Sequence, residues 1–176
     1  MGDDHRRRGR GLAALAVLAL LLSVTQVATA STKRLGTVRK IVVSLNEARA
    51  AQGLPPLATS AELDASARVH ALSMARRGYF THESADGTPF WKRIQAFYPA
   101  GGYARWSVGE TLFWSRANAA APSVIAAWLG SPEHRDILLG DWTQVGIALV
   151  RVPTAPGMYG GGAALIAVAD FGLRRR

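Results

Sequence analysis

No cysteine occurs among the 176 residues. Thiol nucleophiles, redox pairs, disulfide staples and cysteine-ligated zinc are therefore all excluded. Histidine is scarce at four, and the 12 Asp+Glu are outnumbered by 21 Lys+Arg. The sequence holds no H-E-x-x-H, no G-x-S-x-G and no S-x-x-K in a convincing context, so the common hydrolase signatures are missing. It also lacks a basic stripe with interleaved aromatics, and nothing marks nucleic acid as a partner. The longest early apolar run, Leu12 to Leu22, falls short of the roughly 20 residues that a membrane span needs.

That run instead has the length of a signal h-region. Arg6, Arg7, Arg8 and Arg10 precede it, and Ala28-Thr29-Ala30 follows with the small-x-small spacing of a signal peptidase site. Residues 1–30 are expected to be a cleaved secretory signal, with the mature chain starting at Ser31 and 31–36 forming a short linker. The alternative is an uncleaved signal anchor, since Ser23 to Ala30 is only weakly polar. Arg7-Arg8 leaves both general and twin-arginine export open. The remaining 146 residues carry 17 Lys+Arg against 10 Asp+Glu, a formal charge of +7. One domain of that size buries about 68–70% of its unfolded surface and does not need disulfides. Outside the membrane, a basic surface fits anionic lipid or envelope polymers, including contact with a membrane surface. Arg174-Arg175-Arg176 reads as a basic tail beyond a domain at 37–173.

Helical spacing of Val38, Ile41, Val42, Leu45 and Ala48 predicts a helix over 37–52 that Gly53 stops. A second helix is predicted over 60–77, with Thr59 and Glu62 as a capping box and Gly78 as the left-handed cap. Thr88-Pro89 opens a short helix carrying Phe90, Trp91, Ile94, Phe97 and Tyr98. Trp106 to Trp114 reads as extended, with Glu110, Leu112 and Trp114 on one face. Pro122 to Leu129 is helical, and Ser131-Pro132-Glu133 starts another short helix with Ser131 as N-cap. Alternation at Val145, Ile147 and Leu149 and the apolar run Ala164 to Phe171 predict two strands joined by a glycine-rich hairpin loop. A strand follows those glycines where a phosphate cradle needs a helix, so that reading is rejected. Helices first and strands last give an α+β class with an antiparallel sheet.

Three histidines remain in the mature chain. His82 lies in the loop Phe80-Thr81-His82-Glu83, and His134 lies in the first turn after Ser131. Glu110 follows Val108-Gly109 inside an apolar stretch, where a carboxylate needs partners that histidines supply. Two readings stand: a structural hydrogen-bond network, or the chemistry of a cleft. His70 sits on the apolar stripe of the second helix and reads as a core histidine. Glu83 and Glu133 read as solvated. Asp170 is either a buried partner or the polar end of its strand.

Seven short motifs occur in order: Asn46-x-x-Arg49; Pro56-Leu57; Phe80-x-His82; Val108-Gly109-Glu110; Trp128-x-x-Ser131-Pro132-x-His134-Arg135; Val145-Gly146-Ile147; and Asp170-Phe171-Gly172. Together, over residues 38–172, they resemble the CAP superfamily, the SCP-like extracellular domain of venom-allergen and plant pathogenesis-related proteins, and especially its bacterial branch. The resemblance implies a three-layer α-β-α sandwich with a central antiparallel sheet. It implies a cleft with His82 as first histidine, Glu110 as the acid of the G-E-N signature and His134 as second histidine. Thr111 replaces the asparagine of that signature. Ser131 stands where eukaryotic members place a second cleft glutamate, and the eukaryotic disulfides are missing. The expected function is a secreted, non-enzymatic binding domain for a lipid, sterol-like or cell-envelope ligand that requires no cofactor. The alternative is a cleft-based hydrolase, such as a metallopeptidase using His82, Glu110 and His134. Those three side chains suffice as a zinc ligand set. They come from separate elements, so only weak, adventitious binding of a divalent cation is expected.

Overall fold

The computed structural model describes residue 32 and residues 34–116 and 120–176. The expected signal segment and its cleavage point after Ala30 lie outside the described residues. The chain divides at Gly36/Thr37, and the unit Thr37–Arg176 carries the architecture that follows. Helix α1 runs to residue 50 and is already helical at 34, inside the segment read as a linker. Ile41 and Leu45 are its buried stripe, flanked by the partly buried Val38 and Val42.

A two-residue strand, β1 (Ala58–Thr59), follows and pairs in parallel with a later strand. Because Thr59 is held in that pairing, the N-cap of α2 (Ala61–Arg77) is Ser60, whose hydroxyl accepts from the Leu63 amide at 3.4 Å. The predicted Thr59–Glu62 capping box does not form. Glu62 faces outward to Arg174 instead, at 2.8 Å. At the other end Gly78 closes α2 in the left-handed region, φ 73°. A Cβ there would also sit 2.7 Å from the Pro156 carbonyl, so glycine is required twice over.

Helix α3 (Phe90–Phe97) starts at Pro89 without the side-chain cap expected from Thr88. Strand β2 (Arg105–Ser115) leads to α4 (Ala121–Gly130) and α5 (Pro132–Leu138). Strands β3 (Gln144–Val152) and β4 (Ala164–Arg175) close the chain, joined through a short turn at Gly157–Tyr159. The sheet order is β1-β3-β4-β2. The three long strands are antiparallel, whereas β1 makes the sheet mixed rather than purely antiparallel. Residues 174–176 are not a separate tail, because β4 runs to Arg175. Arg174 lies over the Tyr98 ring at 3.3 Å, and Arg175 pairs with Asp141 at 2.9 Å.

The class is α+β, and helices cover both faces of the sheet. On one face, α1, α4 and α5 bury Ile41, Leu45, Val124, Trp128 and Leu138 against Ile147, Leu149, Ala169 and Phe171. On the other, Ala67, Ala71 and Met74 of α2 pack on Leu112, Ala148, Val150 and Val168, while Ile94 and Tyr98 extend the layer beside Leu63. Gly146 allows that second layer its close approach. A Cβ there would meet the Asp64 amide at 2.1 Å, and the Asp64 carboxylate accepts from the Ile147 amide at 2.7 Å. The N-terminal end of α2 is thereby pinned to β3. Among the described residues, no helix is long and apolar enough to cross a membrane.

Candidate functional site

Strand register places Glu110 of β2 directly opposite Asp170 of β4, which is in turn opposite Gly146 of β3. Side chains of one parity share a face. Glu110 and Asp170 therefore lie on the face that also presents Leu112 and Val168 to α2. Helix α2 adds Ser66 and His70 above them, α3 adds Arg93, and the loop between α2 and α3 brings His82. Ser66, His70, Arg93, Glu110 and Asp170 are all buried, whereas 45% of the His82 side chain is exposed.

Glu110 is the hub. Its Oε1 accepts from His82 Nδ1 at 2.8 Å, and its Oε2 pairs with Arg93 Nη2. Arg93 Nη1 donates to the His82 carbonyl at 2.9 Å and to Ser84 Oγ at 3.2 Å. Because a carboxylate only accepts, His82 carries its proton on Nδ1, and in the neutral ring Nε2 is the unprotonated nitrogen. The hydrogen bond to Glu110, ahead of the opposing cost of burial, raises the His82 pKa above its ordinary value.

His70 behaves as the core histidine read from the sequence. Its Nε2 lies 2.9 Å from the Thr81 carbonyl, to which it donates, and 4.0 Å from Glu110 Oε2. Burial first of all lowers its pKa to about 4, so it is neutral at pH 7. Asp170 resolves as a fully buried group rather than the polar end of its strand. Burial, then the neighbouring Glu110 charge, drives its pKa well above the ordinary 3.8. Among the described residues, neither Asp170 oxygen nor the Ser66 hydroxyl has a hydrogen-bond partner.

His134 stands half-buried in the first turn of α5. Burial, then the His82 charge, lowers its pKa. Ser131 precedes it, also half-buried, and its hydroxyl makes no capping bond, contrary to expectation. His82 and Glu110 are thus joined directly, while His134 is linked to them only through the field of His82. Both Glu110 oxygens are already engaged. Among the described residues, no group of three His, Asp or Glu side chains is placed to hold a metal ion. Thr111, where the family signature has asparagine, pairs across to Ala169 and lies on the opposite face, away from the cleft residues.

Sequence reasoning passed over Arg93. Its signal was there: Phe90, Ile94 and Phe97 define an apolar stripe, and residue 93 falls within it at helical spacing. A guanidinium on such a stripe needs buried acceptors, and Glu110 was the carboxylate in search of a cation.

The model of the cysteine-rich secretory protein (CAP) family matches residues 44–168. An uncharacterised protein of Bacillus subtilis (strain 168), YkwD, is 31% identical over 115 residues, covering 64% of this chain; the chain spans 42% of that relative's length. Among solved structures, an outer surface protein of Borrelia burgdorferi superposes with TM-score 0.63 at 23% identity, over 80% of this chain and 94% of that one. An extracellular protein containing an SCP domain from Bacillus anthracis gives 0.60 at 23% identity, over 81% of this chain and 41% of that one. With the family model spanning well over half of its length, this cysteine-free chain belongs to the cysteine-rich secretory protein (CAP) family.

Proposed function

We propose that the mature chain is an exported, non-catalytic binding domain, and that the cleft at His82 and His134 takes an anionic polymer of the cell envelope. One observation carries this reading. Glu110 fixes the half-exposed His82 ring through Nδ1, leaving Nε2 unclaimed by that bond, and His134 is near enough for the His82 charge to lower its pKa. Raising the His82 pKa keeps a larger share of cationic imidazole near neutral pH, which suits carboxylate or phosphate groups. The formal charge of +7 on residues 31–176 favours the same partners by long-range attraction. The geometry favours an envelope polymer over a lipid or sterol-like ligand. Tyr98 is fully buried, Trp106 donates its ring N–H to the Tyr98 carbonyl, and Trp114 packs edge-on to Tyr159, so these aromatics belong to the core.

Sedimentation with purified, insoluble cell-wall polymer tests the reading. Wild type should co-sediment. His82→Ala and His134→Ala should bind several-fold more weakly, and binding should weaken as pH rises through the His82 titration. No sedimentation by wild type, or equal sedimentation by both variants, overturns it. A hydrolase remains the second reading, because a carboxylate that orients an imidazole is also the arrangement of a general base. Release of soluble fragments from the same polymer, abolished in His82→Ala, would establish that reading instead.

A further inference from the structure

We infer that Arg93 is the positioning residue of the cleft, holding His82 by both its backbone and its ring. The inference deepens the binding reading above, and its test does not depend on that reading. Three contacts carry it. Nη1 reaches the His82 carbonyl and the Ser84 hydroxyl, fixing the loop on either side of Glu83. Nη2 meets the same Glu110 carboxylate whose other oxygen holds the His82 ring. One buried guanidinium therefore sets the height of the loop and, through Glu110, the rotation of the imidazole. A planar fork with several fixed donors suits this task, and a lysine ammonium does not reproduce it. Helix α3 gives Arg93 a rigid base, since Ile94 next to it is fully buried beside Leu63 and Tyr98.

The charged groups around His82 are Glu110 on β2, Glu83 in the loop, Arg93 on α3 and His134 on α5; the neutral His70 of α2 stands behind Glu110. Their signs separate positioning from simple charge. If Arg93 acted on His82 only as a nearby cation, removing it would raise the His82 pKa. If Arg93 positions Glu110, removing it frees the carboxylate, the Glu110 hydrogen bond weakens, and the pKa falls towards the ordinary 6.5. The hydrogen bond is the largest influence on His82 and the Arg93 charge the smallest of those resolved, so the fall should win.

The experiment is nitrogen-15 NMR of the His82 ring in wild type, Arg93→Gln and Arg93→Lys, read for tautomer and titration midpoint. Wild type should show the Nδ1–H tautomer in its neutral form. Arg93→Gln should show a mixture shifted towards Nε2–H, with the midpoint moved down. Arg93→Lys keeps the charge beside Glu110 but cannot span three acceptors, and should move the same way by less. Unchanged His82 signals in folded variants overturn the inference even where the melting temperature falls, because Arg93 would then be structural only. A midpoint that rises in Arg93→Gln overturns it in favour of bare electrostatics. Failure of both variants to fold would make Arg93 a folding residue and also overturns it. Failure of wild type to bind polymer, with the NMR result as expected, removes the binding reading and leaves the positioning role in place.

Discussion

Each face of the sheet buries an arginine, and the two are satisfied in opposite ways. Arg49, on the α1 side, donates only to backbone carbonyls: Nε to Pro55 at 3.0 Å, and Nη1 to Leu138 at 2.8 Å and Gly140 at 2.9 Å. Burial lowers its pKa below the ordinary guanidinium value, with the Asp141 charge opposing. Arg93, on the α2 side, shares its pocket with a carboxylate, a second carboxyl group, two histidines and a serine. Arg49 ties α1 to the chain leaving α5 with neutral acceptors, so it acts as a brace. Arg93 is one member of a charge network that reaches solvent at His82. Neutral carbonyls cannot transmit a proton or a field change to the surface, whereas a Glu–His pair can.

Breaking each arginine's partnership should separate the two faces most strongly. Glu110→Ala leaves the Arg93 cation buried without its carboxylate, which costs about 3–5 kcal/mol. Arg49→Met removes a cation and leaves three neutral carbonyls to find other partners, costing about 1–3 kcal/mol. Urea denaturation of the domain measures both. An Arg49→Met loss equal to or greater than that of Glu110→Ala would erase the distinction between brace and network.

Acid sharpens the comparison, because the two buried groups with large shifts in the acid range, His70 and Asp170, both sit on the α2 side. Unfolded His70 takes up a proton near its ordinary 6.5, while in the fold it does so only near 4. The unfolded state therefore binds more protons in that window, and stability falls as pH drops from 6.5 to 4, by about 3 kcal/mol. Asp170 works against this. Folded, it keeps its proton well above 3.8 and the unfolded chain does not, so its contribution to stability falls as pH rises above 3.8. The two slopes oppose each other over the same range. Asp170→Asn should leave the His70 slope exposed and make the domain more acid-labile between pH 6.5 and 4. His70→Gln should leave the Asp170 slope, with stability declining as pH rises. Melting temperatures across pH 4 to 7 check both, and parallel profiles in wild type and the two variants would refute the opposition. His82 acts above this window. Its pKa is raised in the fold, so its contribution is complete below 6.5 and disappears as pH climbs through the folded value.

Periodicity made the helices and long strands legible, because each buries a continuous stripe or face: Ile41 and Leu45 in α1, Leu63, Ala67 and Met74 in α2, and the whole of β4 from Ala164 to Gly172. What could not be read depended on distant partners. Strand β1 is two residues long and exists only because β3 runs beside it, and that pairing moved the α2 cap from Thr59 to Ser60. Arg174 looked like part of a loose basic tail because nothing local announces its stacking on Tyr98 or its pairing with Glu62, 112 residues away. Within the cleft, Glu110 was recognisable as a carboxylate in apolar surroundings. Arg93 was readable in retrospect from its place on an apolar stripe. Asp170 could not be resolved without the register that sets it opposite Glu110.

The smallest expected effect is that of zinc. Two histidines and a carboxylate are enough protein ligands in principle. Here Glu110 has no oxygen to spare, since His82 holds one and Arg93 the other. A zinc ion would have to displace the buried Arg93 pairing or make do with His82 and His134 alone. It would also have to approach the cationic form of His82, whose proton the Glu110 bond retains to higher pH than usual. Imidazole binds metal only when neutral, so whatever affinity exists should fall as pH drops through the His82 titration. Binding should be micromolar or weaker by calorimetry. At a zinc concentration equal to its dissociation constant, the stabilisation is only about 0.4 kcal/mol. Thermal melts with micromolar zinc should therefore match those without it, in wild type and in His134→Ala alike. Nanomolar binding lost in His134→Ala would mean that Glu110 releases Arg93 to take a metal. The network on the α2 face would then be a ligand reserve for an active metal centre rather than a fixed support for His82.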